Sequence, residues 1–311
     1  KPATERRNTT IPENPRRSHV TEFTLRTSAC VLEGEDLWIS QGFPHPAWGH
    51  RSRTWGLTSA IVRQLLPVAL AEVDPVAAYA GDARPTPTGR PWVLVNMVAS
   101  VDGATAVDGR SGALGGPVDR AAFTAIRAVP DVILVAAGTA RAEGYGPPRT
   151  PMDLQRARAA RGQTAKPRLA LVTRSVELDF AGELFADPAS RCLVITPEDA
   201  PAERLAAAAT VADVVTAGRG GVDLPAALAQ LGAAGATVVL AEGGPSLLGQ
   251  LAAANLVDEL CLTLSPTLVA GESARIVHGP DLPGGLAPLH LERVLEEDGV
   301  LLLRYVVVRP G

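Results

Sequence analysis

Four short stretches pair polar side chains with glycines in a way that suits ligand binding. In Leu240-Ala241-Glu242-Gly243-Gly244-Pro245-Ser246 an apolar run ends in a carboxylate, two glycines and a proline. Glycines allow a ligand to approach the backbone, and a helix starting at Pro245 offers free N–H groups and a positive dipole end to an anion. Glu242 repels a phosphate, so it suits a neutral or donor-rich part of a ligand. A tight strand-to-helix turn with a solvated glutamate fits the same residues, and spacing alone leaves the two open. In Asn96-Met97-Val98-Ala99-Ser100-Val101-Asp102-Gly103, residues 96, 98 and 100 share one strand face and Asp102 lies just past the end. The small residues 99 and 100 leave room for a flat ring, although Asp-Gly is also a common turn pair.

The third stretch, Ala137 to Tyr145, carries Gly138, Thr139 and, one helical turn on, Glu143. A hydroxyl and an N–H could meet a ligand there, or an ordinary helix cap could. The fourth, Thr173-Arg174-Ser175, joins a guanidinium to two hydroxyls, a set that suits a phosphate dianion and equally a surface turn. Gly109–Gly116, with Ser111 inside it, is a loop able to close over a ligand or simply a flexible connection, and Gly218-Arg219-Gly220-Gly221 suits a phosphate or a surface turn in the same way as 173–175. The sequence contains no G-x-G-x-x-G, no G-x-x-x-x-G-K-[ST] and no G-x-S-x-G. His290-Leu291-Glu292 spells H-x-E without a following P-C-x-x-C, so no zinc deaminase is encoded and no metal is expected.

The elements that must position these stretches follow from periodicity. Apolar runs at 92–100, 132–137, 170–173, 193–196, 211–216, 237–241 and 259–264 read as strands. Helices are predicted over 117–129, 201–209, 224–234 (capped by Asp223) and 246–254. The runs 289–295 and 300–308 flank Glu297-Asp298-Gly299 as an antiparallel pair. Alternating strands and helices give an α/β fold with a mostly parallel mixed sheet, an antiparallel C-terminal hairpin and helices on both faces. Ligands of such sheets sit at the carboxyl ends of strands.

Residues 1–60 stand apart. They hold three of the four tryptophans and three of the five histidines, with little periodicity. They read as a flexible or poorly packed extension, or else a small subdomain; residues 61–311 read as the main folded domain, with its core over 90–308 and a linker-like entry at Gly81–Arg90. The net charge of −4 disfavours nucleic acid or an acidic membrane as partner. Three scattered cysteines argue against a disulfide framework and fit a reducing cytoplasm. No apolar run reaches the roughly 20 residues needed to cross a bilayer, and the arginine-bearing N-terminus has no apolar signal region.

Taken in order, Arg90-Pro91-Trp92-Val93 to Gly103, Ala137-Gly138-Thr139 to Glu143, and Glu242-Gly243-Gly244-Pro245-Ser246-Leu247 continuing through Leu256-Val257-Asp258-Glu259-Leu260 to Pro266 and Gly271 resemble the reductase domain of bacterial riboflavin deaminase-reductases. They also resemble its stand-alone archaeal and fungal relatives, and most closely the actinobacterial pyrimidine reductases. The resemblance covers residues 90–308. It implies a three-layer, dihydrofolate-reductase-like fold and an NADPH-dependent oxidoreductase of riboflavin biosynthesis, which reduces the ribosyl group of a 5-amino-6-(5-phosphoribosylamino)pyrimidine to ribityl. It implies that Ala99, Thr139, Glu143 and the turn Gly243, Gly244, Pro245, Ser246, Leu247 and Leu248 lie along the cofactor, with Thr173, Arg174 and Ser175 near its 2′-phosphate. It places Asn96, Asp102, Ser111, Arg127 and Glu242 on the substrate, with Arg127 or Arg149 near the substrate phosphate. A homodimer is implied as well. Asn96 stands where the bacterial fusions have Lys, Glu143 where Asp is frequent, and Ala113 where some bacterial members have Trp, which leaves open whether the base is deaminated. Glu242 is the best candidate for orienting substrate, and the proton donor is unassigned. A binding relative without turnover, or a dihydrofolate reductase type of enzyme, is the alternative.

Overall fold

The computed structural model describes residues 62–187 and 191–309. The extension expected over residues 1–60 lies outside the described residues. The described chain builds one sheet of eleven strands in the order β2-β1-β10-β11-β9-β3-β8-β4-β5-β6-β7. In sequence it runs β1 (Val62–Leu66), β2 (Leu70–Val73), α1 (Pro75–Ala80), β3 (Trp92–Ser100), α2 (Pro117–Arg127), β4 (Val132–Ala136), α3 (Ala137–Glu143), α4 (Met152–Ala160) and β5 (Arg168–Val172). It continues β6 (Leu193–Thr196), α5 (Ala202–Val211), β7 (Asp213–Thr216), α6 (Leu224–Ala233), β8 (Val238–Ala241), α7 (Pro245–Ala253), β9 (Glu259–Ser265), β10 (Leu289–Glu297) and β11 (Val300–Val307).

From β9 to β7 every neighbouring pair is parallel; from β2 to β9 every pair is antiparallel. The mixed, mostly parallel sheet with an antiparallel C-terminal hairpin expected from the sequence is therefore the one found. The inner parallel strands β4, β6 and β8 are short and almost wholly apolar because both of their faces are covered. Leu94, Ile133, Leu171, Val194 and Leu240 pack with α2 and α5 on one side, while Val93, Val95, Leu134, Ile195 and Val239 pack with α6 and α7 on the other. The hairpin between β10 and β11 turns at Asp298 and Gly299, both at positive φ (52° and 79°). Asp-Gly suits such a turn because an aspartate tolerates the left-handed region and glycine enters it without strain.

The sheet begins earlier than the apolar runs suggest. β1 pairs with β10, and Tyr79 of α1 is buried in the core. Gly81–Arg90 is thus not a separator between units. Asp82 accepts from both Nη atoms of Arg293, and Arg84 donates through Nε and Nη2 to Glu259. Arg304 and the Trp92 indole also donate to Glu259. A carboxylate that is fully buried needs this many donors to offset its lost hydration. Among the described residues no helix is long and apolar enough to cross a membrane.

Candidate active site

A cleft of about 1080 Å³ opens at the carboxyl ends of β3, β4 and β8. This is where a parallel sheet leaves backbone groups free and where its ligands usually bind. Of the residues singled out in the sequence, Asn96, Ser111, Arg127, Thr139, Glu143, Arg149, Glu242, Gly243, Gly244 and Pro245 all line it.

Glu242 follows β8, its backbone N–H held by the Leu134 carbonyl. Its side chain is only 1% exposed and meets three donors. Arg127 at the end of α2 gives Nε to Oε1 (2.7 Å) and Nη2 to Oε2 (2.6 Å), and the Tyr145 hydroxyl gives a third bond at 2.9 Å. The guanidinium lies 4.2 Å over the Phe123 ring and 5.4 Å from that of Tyr145. Burial alone would lower the Arg127 pKa, but the hydrogen bond and charge of Glu242 overcome it and the net shift is upward. The Tyr145 hydroxyl is pushed far up, by burial first and by Glu242 next. This makes a rigid, charge-balanced wall with a carboxylate rim able to meet amino or hydroxyl groups.

The opposite side is backbone. The Gly243–Gly244 peptide is cis, Gly243 has φ +108°, and the Gly243 carbonyl accepts from Ala136. A β-carbon on Gly244 would sit 2.5 Å from the Thr139 hydroxyl, so only glycine leaves the hydroxyl and the start of α7 side by side. α7 carries no side-chain cap, and its first-turn N–H groups are available to an anion. A flat nucleotide with a pyrophosphate fits these features, with Thr139 and the 243–245 turn to hold it. The glycine loop is tied to this wall: the Ser111 N–H donates to Glu143 at 2.9 Å, which engages Glu143 in shaping the loop.

Other singled-out residues lie elsewhere. Leu247 and Leu248 are buried in the core against α6, Ser246 is exposed on α7, and Ala99 is buried in β3. Asp102 accepts from the Ser100 hydroxyl and from the N–H groups of Val269 and Ala270, which hold its carboxyl below the usual range and order the loop after β9. Thr173 accepts from Val176 within a turn at the end of β5, with Arg174 exposed beside it; the Ser175 carbonyl accepts from Arg204. Arg149 is 92% exposed at the cleft mouth, 3.7 Å from Glu183. In the 218–221 loop the Gly220 N–H is taken by Asp199, which leaves that loop a structural turn before α6.

Tyr145, Phe123, Asp119, Thr105 and Ser273 line the cleft without having been singled out for a role in the sequence. Phe123 and Arg127 are one turn apart on α2, a spacing that could have revealed them. Among the described residues no group of three or more His, Cys, Asp or Glu side chains could hold a metal ion.

Comparison with known proteins gives a consistent result. The family described as RibD C-terminal domain matches residues 91–297. The 2,5-diamino-6-ribosylamino-4(3H)-pyrimidinone 5′-phosphate reductase of Methanothermobacter thermautotrophicus is 30% identical over 223 residues, covering 70% of this chain and 99% of its own. The protein of the same name from Archaeoglobus fulgidus is 29% identical over 189 residues, 60% of this chain and 86% of its own. Among solved structures, a pyrimidine reductase-like protein of Corynebacterium diphtheriae superposes with a TM-score of 0.69 at 28% identity, over 76% of this chain and all of the other.

Proposed function

The chain belongs to the RibD C-terminal domain family, and we propose that it reduces the ribosyl group of 2,5-diamino-6-ribosylamino-4(3H)-pyrimidinone 5′-phosphate to ribityl, using NADPH. The convergence of Asn96, Arg127 and Glu242 with Thr139 and the Gly243–Pro245 turn in one cleft carries this proposal. The undeaminated base is supported by the names of both archaeal relatives.

The bound nicotinamide supplies the hydride. The protein contributes position and a fixed electrostatic frame. Thr139 and the 243–245 backbone seat the nucleotide, and Arg174 with the Thr173–Ser175 turn selects the 2′-phosphate. Glu242, its carboxylate held at both oxygens, orients amino or hydroxyl groups of the substrate. The 109–116 loop, anchored through Ser111 to Glu143, covers the cleft and keeps water out. Arg149, exposed at the mouth, meets the substrate phosphate. We take the working unit to be a cytoplasmic homodimer, with exposed Leu65, Leu70 and Leu289 near the β1–β2–β10 edge supporting an interface.

The test is turnover of NADPH with the diamino substrate and with its deaminated uracil counterpart. We expect loss of nicotinamide absorbance and a product heavier by two hydrogens with the diamino form. Tight NADPH binding without oxidation on either substrate would refute the assignment and favour a binding protein. An Arg174→Glu variant that kept full preference for NADPH over NADH would remove Arg174 from the 2′-phosphate site.

A further inference from the structure

Asp119 stands in the first turn of α2, two turns before Arg127, and lines the same cleft. Its Oδ2 packs on the glycine loop so closely that a β-carbon on Gly115 would come within 2.6 Å of it. Its side chain lies beside that of Thr263 on β9. The other carboxyls of the cleft are otherwise occupied or wet. Glu242 is ion-paired with Arg127 and bonded by Tyr145, Glu143 accepts from Ser111, Glu183 faces Arg149, and Asp108 and Glu272 are exposed. Among the described residues that line the cleft, Asp119 is therefore the sheltered carboxyl that holds neither a cation nor a backbone N–H.

The geometry points to Asp119 as the proton donor of the reduction, delivering its carboxyl proton to the ribose ring oxygen while C1′ is reduced. This rests on the reductase reading above. The Asp119 O–H bond breaks and O4′ takes the proton. The C1′–O4′ bond breaks with its electron pair going to O4′, and the nitrogen lone pair forms a C1′=N iminium. C1′ then receives the hydride that the nicotinamide supplies, and the C=N pair returns to nitrogen. One proton and one hydride are added, the sugar opens to ribityl, the nicotinamide is oxidised, and solvent reprotonates Asp119.

The environment favours a carboxyl that keeps its proton. Burial raises the Asp119 pKa, and it outweighs the Thr263 hydroxyl and the charge of Arg120, the next residue on the helix. The glycine loop presents no charge at Gly115. An acid must be protonated to act, so turnover should fall as pH rises through this raised pKa.

Two measurements test the assignment. In the ligand-free protein, a carboxyl resonance followed by carbon NMR should titrate above the ordinary aspartate value of 3.8 and vanish in Asp119→Asn. With NADPH and the diamino substrate, Asp119→Asn should lose about 100-fold in kcat with KM unchanged, and lack the alkaline limb of the wild-type profile. Asp119→Glu should recover part of the rate, and Gly115→Ala, which crowds the carboxyl, should shift the limb. Wild-type kcat or a retained limb in Asp119→Asn, with wild-type protein active, would overturn the assignment alone. Wild-type protein inactive on the substrate would overturn the reductase reading and this assignment with it.

Discussion

Arg127 grips both carboxylate oxygens of Glu242 across 115 residues of sequence, so the last turn of α2 and the turn after β8 form one rigid wall. The pair is asymmetric: the Glu242 side chain is 1% exposed and that of Arg127 22%. Breaking a buried pair from one side strands the other charge. Glu242→Leu should therefore cost about 3 kcal/mol of stability, and the double variant Arg127→Met/Glu242→Leu markedly less than the two single variants together. Urea denaturation of wild type, Arg127→Met, Glu242→Leu and the double variant reads the coupling. A double-variant loss equal to the sum of the two single losses would mean the pair contributes no mutual stabilisation.

Gly244 and Thr139 make a second testable contact. Gly244→Ala places a β-carbon 2.5 Å from the threonine hydroxyl, an overpacking that should destabilise by about 2 kcal/mol and weaken NADPH binding. Thr139→Ala in the same chain removes the obstructing oxygen and should restore most of the stability. If the double variant is no more stable than Gly244→Ala, the clash is not the cause.

Asp131 ties three segments together. Burial alone would raise its pKa, but bonds from Gln163 and from Thr237 and Val238 at the start of β8 hold it below the ordinary 3.8. A depressed carboxyl stabilises the fold above its unfolded pKa, and that contribution fades as pH falls through the folded one. The stability gap between wild type and Asp131→Ala should thus be full at neutral pH and close below pH 3.8. A gap that stays constant on acidification would show that its origin is not ionic.

The N-terminal strands are integral to the sheet. A chain beginning at Pro91 lacks Asp82 and Arg84, which strips Arg293 of both carboxylate bonds and removes the bidentate partner of Glu259. Leaving such charges unpaired should cost more than about 3 kcal/mol, visible as a lower denaturation midpoint or insoluble protein. A truncated chain as stable as the full one would place those charges in water rather than in the core.

What the sequence disclosed follows the same physics. The parallel strands announced themselves because strands covered on both faces must be apolar runs, and Asp298-Gly299 marked its hairpin because few pairs accept two positive φ values. β1 and β2 stayed hidden because strands half open to water near a sheet edge alternate weakly, as Val62-Arg63-Gln64-Leu65-Leu66 does. α4 stayed hidden because it buries only Leu154 and Arg158, the latter bonded to the carbonyls of Ala128, Pro130 and Thr164. Within the site, glycines and strand-end polar residues were legible from local pattern. The role of Tyr145 was not, since its partner Glu242 lies 97 residues away. Glu143 lines the cleft as well as bonding the glycine loop, and the Asp102 hydrogen bonds organise the loop after β9, which no local pattern disclosed.

β11, the last strand in sequence, lies inside the sheet between β10 and β9, and β9 in turn borders β3. During translation, then, β1, β2 and β10 have no bridge to the parallel half until residues 300–307 clear the ribosome. Until β10 and β11 are made, the nascent chain must hold the β1–β2 pair apart from the parallel half, whose β9 border stays open. Such intermediates are slow to close and prone to stick to one another. Cellular yield should accordingly depend on chaperone supply, and damage to β11 should lower abundance more than its distance from the catalytic cleft would suggest.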